Sequence, residues 1–120
     1  GIYESSVDDM WVEYSMPQEN GYHSDVRWMI IKNNRGLGFK FEGAPFIGFG
    51  AQRYTKADME DSQYFFELTK SPEVYLNVDM MQMGVGGTNS WSPSAYPLED
   101  YRIPSGPLSY TYRMSPLGSQ

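Results

Sequence analysis

"SDVRWMIIKNNRGLGFKFEGAPFIGFGAQRY", residues 24 to 54, carries the period that decides the fold class. Val26, Trp28 and Ile30 share one face of its first run, and Arg27, Met29 and Ile31 share the other. That two-residue repeat is a strand, and apolar residues on both faces predict one covered on both sides. "NNRG" (33 to 36) supplies the residues of a turn. Leu37, Phe39 and Phe41 then alternate with Gly38, Lys40 and Glu42, and "EGAP" reads as a breaker before "FIGFGAQRY". That pair predicts a hairpin, with Gly48 and Gly50 marking a bulge or a close backbone approach.

The same period extends outward in both directions. Val12, Tyr14 and Met16 alternate with Glu13 and Ser15 until Pro17 and "ENG" end the strand. The one helical signal runs from Thr55 to about Leu68: Thr55 can cap, Asp58 stands three residues on, and acids crowd the first turns where the helix dipole favours them. "VYLNVDMMQM" resumes strand spacing, with Leu76, Val78 and Met80 opposite Tyr75, Asn77 and Asp79. A long loop over 84–106 follows. "LSYTYRM" closes the pattern, with Leu108, Tyr110, Tyr112 and Met114 on one face. Short strands, Gly and Pro turns and a single helix near 55–68 predict an all-β fold, an antiparallel β-sandwich. A single domain is expected over 1–115, with a frayed tail at 116–120 and no internal repeat.

Composition removes several function classes. A chain of 120 residues is the size of one domain. It has no cysteine, so it can carry no disulfide, thiolate metal site or cysteine nucleophile, and the compartment stays open. A net charge of -6 with only nine scattered Lys and Arg argues against nucleic acid. No apolar run approaches the roughly 18 residues that span a bilayer, and "GIYESSVDD" does not read as a signal peptide, so no membrane partner is expected. Aromatic residues make up 16% of the chain, which fits a β-sandwich or a sugar-handling surface.

Residues capable of chemistry have bland alternatives. His23 is the only histidine, so a triad or multi-histidine metal site would rest on it alone. A surface histidine is the simpler reading. Asp8 and Asp9, Asp58, Glu60 and Asp61, and Glu99 and Asp100 could supply a carboxylate pair for glycoside hydrolysis, yet all lie in turns or at a helix start, where acids are favoured anyway. "GVGG" (84 to 87) matches neither phosphate-binding fingerprint. Asp79, Asn89 and Asp100 lack the spacing of a calcium loop, and no metal site is expected. Met80, Met81 and Met83 read as core filling.

Trp91 is different, because "MGVGGTNSWSPSAYP" (83 to 97) holds a large aromatic in a stretch that can form neither helix nor strand. It is either a plug over the sandwich end or a stacking platform, since an aromatic plane meets the C–H face of a pyranose while rim hydroxyls find polar partners.

"YSMPQENGYHSDVRW" (14 to 28) and "MGVGGTNSWSPSAYP" (83 to 97) together resemble the C-terminal, small-chain or domain 5 type, region of the β-galactosidases of glycoside hydrolase family 2. Pro17, Gln18, Glu19, Asn20 and Gly21 match the family's Pro, polar, Glu-Asn-Gly run, and Asp25, Val26, Arg27 and Trp28 match its frequent continuation. Met83, Gly84, Gly86, Gly87, Ser90, Trp91, Ser92 and Pro93 match its end motif, and "RYTKADMEDS" resembles its helix start. Many members carry two aspartates before Ser-Trp where this chain has Thr88 and Asn89, which implies less negative charge at the loop.

The resemblance implies part of a galactose-mutarotase-like supersandwich, in a hydrolase whose retaining chemistry resides in a separate (β/α)₈ barrel. The implied substrate-binding residues are Trp91, on the aglycone side, with Asn89 and Ser90 beside it, and no catalytic residue lies in this fragment, which should be inert alone. The family's divalent cation, such as magnesium, and its sodium belong mainly to other domains. The implied partners are a galactoside, the barrel of the same chain and a possible homo-oligomer. The alternative is a non-catalytic carbohydrate-binding or purely structural β-sandwich, distinguished by whether the Trp91 ring is exposed or buried.

Overall fold

Asn33 sets the first strand pairing in the computed structural model, which describes residues 1–13, 20–83, 92 and 95–118. Its side-chain carbonyl accepts from the backbone N–H of Arg35 at 2.9 Å and of Leu37 at 3.1 Å, and Gly36 completes the turn at φ +77°, where a β-carbon would be strained. The turn joins β1 (His23–Lys32) to β2 (Gly38–Gln52). β3 (Tyr75–Asp79) and β4 (Tyr112–Pro116) also pair with β2, in a four-stranded sheet of order β1-β2-β3 with β4 on β2. The β2 and β4 strands run antiparallel from Phe39 opposite Pro116 to Gly43 opposite Tyr112. The domain is all-β and sandwich-like, mostly antiparallel sheet with a few short helices.

β2 departs from expectation, because "EGAP" does not break it. Ala44 donates its N–H to Thr111 O at 3.1 Å, and Pro45 has no N–H to leave unpaired, so 15 residues run on as one strand. The predicted hairpin across "EGAP" is therefore absent, and the hairpin is β1 with β2. Gly43 makes the passage possible: a β-carbon there would lie 2.7 Å from the Ile47 nitrogen.

The described residues divide into two compact units, Gly1–Val26 with Gly48–Val78 and Arg27–Ile47 with Asp79–Gln120. In the first, α1 (Val7–Met10) is capped by Ser6, whose Oγ accepts from Asp9 N at 3.1 Å. Val12 is held by the Asn20 side chain rather than by a strand, with Val12 N donating to Asn20 Oδ1 at 2.7 Å. Glu13 is an exposed bend, and residues 14–16 of the strand expected at 12–16 lie outside the described residues. The predicted helix is α2 (Lys56–Asp61), capped by Thr55 and seating Met59 in a small core with Ala51. It is shorter than expected, because the Glu67 carboxylate takes the N–H groups of Gln63 and Tyr64 at 2.8 and 2.9 Å and opens a separate 3-10 turn, Phe65–Glu67. β3 keeps the expected alternation, Leu76 and Val78 half-buried against exposed Tyr75 and Asn77.

The second unit buries Met29, Phe41 and Ile47. β1 is not covered on both sides as predicted: Trp28 is 41% and Ile30 43% exposed, because among the described residues only the Met29 face meets a core. Lys40 lies 5.8 Å over the Trp28 ring and 2.7 Å from Glu42. β4 begins at Tyr112, later than the alternation from Leu108 suggested. Pro116 belongs to it, and beyond it Leu117 donates to Gly38 O at 2.9 Å, so the expected frayed tail begins hydrogen-bonded.

Candidate functional site

β3 delivers the chain to the long loop. Met80 is half-buried, but Met81 and Met83 are exposed, since the strand has ended at Asp79 and no described element covers them. They are not the core filling that the sequence suggested. The glycines at 84 to 87 and the three expected substrate-binding residues, Asn89, Ser90 and Trp91, lie outside the described residues.

On the far side of the loop, Ser92 and the residues from Ala95 on are held by local bonds. Ala95 donates its N–H to Ser92 O at 2.9 Å, and Tyr101 donates to Leu98 O at 2.9 Å, opening the 3-10 turn Glu99–Tyr101. That turn reverses the chain so that Arg102 Nε donates to Pro97 O at 2.6 Å and the guanidinium carbon lies 5.7 Å over the Tyr96 ring. Tyr96 and Tyr101, on the described part of the loop, are exposed. Sequence reasoning missed Arg102. The available signal was an arginine six residues after a loop tyrosine, with turn-forming acids between them.

The remaining candidates take local structural roles. His23 is exposed, stacks on Phe49 at a centroid distance of 5.0 Å, and holds its Nδ1 2.8 Å from Gly21 O. Asp8 lies 2.7 Å from Lys70 and 3.8 Å from Arg53, which itself donates to the carbonyls of Ser71 and Pro72. Asp9 accepts from Ser6 at 2.6 Å, Asp58 from Thr55 at 2.7 Å, and Glu60 pairs with Lys56 at 3.6 Å. Asp61 ends α2, and Glu99 and Asp100 open the turn before Arg102. Each of these acids thus sits at a helix end, beside a cation or in a turn. The described residues contain no group of three or more His, Asp or Glu that could hold a metal ion.

Comparison with known proteins locates this arrangement. A family model described as "Beta galactosidase small chain" matches residues 1–114, a span that includes both quoted motifs. The chain is 36% identical over 96 residues to a β-galactosidase of Priestia megaterium, covering 80% of this chain and 9% of that relative. It is 31% identical over 118 residues to a β-galactosidase of Bifidobacterium adolescentis, covering 95% and 11%. It is 32% identical over 120 residues to one of Streptococcus thermophilus, covering 98% and 11%. The chain thus spans about a tenth of the length of these curated relatives.

Proposed function

Because the chain belongs to the β-galactosidase small-chain family, we propose that it is the C-terminal domain of a longer glycoside hydrolase of family 2 that cleaves terminal β-D-galactosides. The observation that carries this reading is the family match across 1–114, which takes in the glycine-rich loop and its tryptophan. Retaining hydrolysis requires one carboxyl as acid and base and a second as nucleophile, about 5 Å apart. Here the candidate acids cap helices, hold cations or form turns. That supports an inert fragment whose catalytic glutamates stand in a separate barrel.

In this reading Trp91 reaches the aglycone side of the active-site mouth. Its plane meets the C–H face of the leaving sugar, and Asn89 and Ser90 supply polar groups for the rim hydroxyls. The contribution is substrate capture rather than bond cleavage. The exposed apolar side chains Trp28, Ile30, Phe39 and Met114 favour a domain that packs on the rest of a longer protein, the barrel included. In the same reading the magnesium and sodium of the family are held mainly by other domains of the longer protein.

The test is hydrolysis of a nitrophenyl β-galactoside by the full-length parent, with the anomer of the released galactose followed by NMR. Release of β-galactose by the parent and no turnover above buffer by the separate 120-residue chain are expected. A parent without galactosidase activity, or turnover by the rigorously purified fragment, would contradict the proposal.

A further inference from the structure

We propose that Tyr96, fixed by Arg102, is a second sugar-stacking platform that receives the distal part of an extended aglycone, such as the reducing end of a galactosyl oligosaccharide. The proposal rests on the Trp91 loop lying at the aglycone mouth.

Many aromatics of this chain are exposed, but Tyr96 is held without being buried. Its ring is 67% exposed, and Arg102 lies over one face at 5.7 Å. The arginine is itself anchored, because Nε donates to Pro97 O at 2.6 Å and its backbone N–H donates to Glu99 O at 3.1 Å. A cation over one face fixes the ring's orientation. The exposed ring can then receive a ligand with its ordering cost largely met in advance. No other described aromatic ring stacks on Tyr96.

The surroundings select the class of ligand. Exposed Glu99 and Asp100 offer acceptors for hydroxyl groups, and the Arg102 guanidinium carries N–H donors besides the one given to Pro97. A nucleobase could also stack on such a ring, but its phosphates would meet two acids on a chain of net charge -6. A neutral polyol meets no such repulsion and uses both the ring and the polar rim. Position agrees: the Ala95 to Ser92 hydrogen bond brings the residue that follows Trp91 within about 7 Å of the residue that precedes Tyr96. Two platforms so close along the chain suit successive sugars of one aglycone.

The experiment compares, in the full-length parent, KM for a nitrophenyl β-galactoside with KM for a β-galactosyl tetrasaccharide. Tyr96→Ala is expected to raise the ratio of the tetrasaccharide KM to the nitrophenyl KM roughly two- to tenfold, the yield of one aromatic stack. Tyr96→Phe should keep the wild-type ratio. Arg102→Ala, which removes the positioning residue, should raise it by a smaller factor. Trp91→Ala in parallel separates the two readings: an effect on both substrates there, with a wild-type ratio in Tyr96→Ala, would overturn the second platform alone. An equal change for both substrates in Tyr96→Ala would also overturn it, marking Tyr96 as a structural support. A raised ratio in Tyr96→Ala beside a silent Trp91→Ala would uphold the platform and overturn the role given to Trp91.

Discussion

Tyr22 lays its phenol ring into the volume that a β-carbon on Gly48 would fill, with Cε1 3.0 Å from that position and the ring's hydroxyl end closer still. β2 can pass beneath the ring only because residue 48 has no side chain. Gly48→Ala should therefore destabilise this part of the fold by about 1–3 kcal/mol, the usual range for an overpacked site. Amide exchange in β2 of the full-length parent measures it. Combining Gly48→Ala with Tyr22→Ala should cost less than the sum of the two single changes, because the second removes the obstacle met by the first. Strict additivity would show that the ring does not set the requirement for glycine.

Thr55 holds the start of α2 in both directions, its Oγ1 accepting from Asp58 N at 3.0 Å and donating to Asp58 Oδ2 at 2.7 Å. Thr55→Ala leaves a backbone donor of a six-residue helix without its cap. The expected loss is about 1 kcal/mol. It should appear as faster amide exchange in α2, with Thr55→Ser retaining most of the protection. Unchanged exchange in Thr55→Ala would mean that burial of Met59, not the cap, fixes the helix.

The hydrogen bond from Lys40 holds the Glu42 carboxyl below its ordinary value of 4.5, assisted by the charges of Lys40 and Arg113 against a partial burial that acts upward. A depressed carboxyl pKa means that the unfolded chain binds the proton more readily. The pair's contribution is therefore present above the ordinary value and is lost as pH falls through the lower, folded one. A side-chain NMR titration should place the Glu42 midpoint below 4.5, and Lys40→Met should move it back upward. A midpoint unmoved by Lys40→Met would remove the hydrogen bond as the cause.

Features written in local sequence were legible, and those that depend on distant partners were not. The Asn33–Gly36 turn and the Thr55 cap each follow from a few neighbouring residues and a known backbone requirement, whereas Gly48 announced a close approach without saying that the ring of the distant Tyr22 makes it. "EGAP" misled because its pairing partner, around Thr111 and Tyr112, lies far along the chain, and a local breaker signal carries no information about it. Trp28 and Ile30 read as buried because period reports which residues share a face, not whether another layer covers that face. At the site, the sequence motif of 83–93 made the family visible, whereas the Arg102 contact with Tyr96 depends on how a short 3-10 turn reverses the chain.

The central claim, that Trp91 captures the aglycone sugar for chemistry performed elsewhere, is tested most directly by steady-state kinetics of Trp91→Ala in the full-length parent. A contact made already in the initial complex is shared by ground and transition states, so its removal should raise KM more than it lowers kcat. A loss of about 1–3 kcal/mol, by analogy with stacked bases, corresponds to a fall of roughly five- to 150-fold in kcat/KM. Trp91→Phe should recover part of it, and thermal stability should stay within about 1 kcal/mol of wild type. Unchanged kinetics in Trp91→Ala together with a sharply lowered melting temperature would contradict the account and make the tryptophan a structural plug.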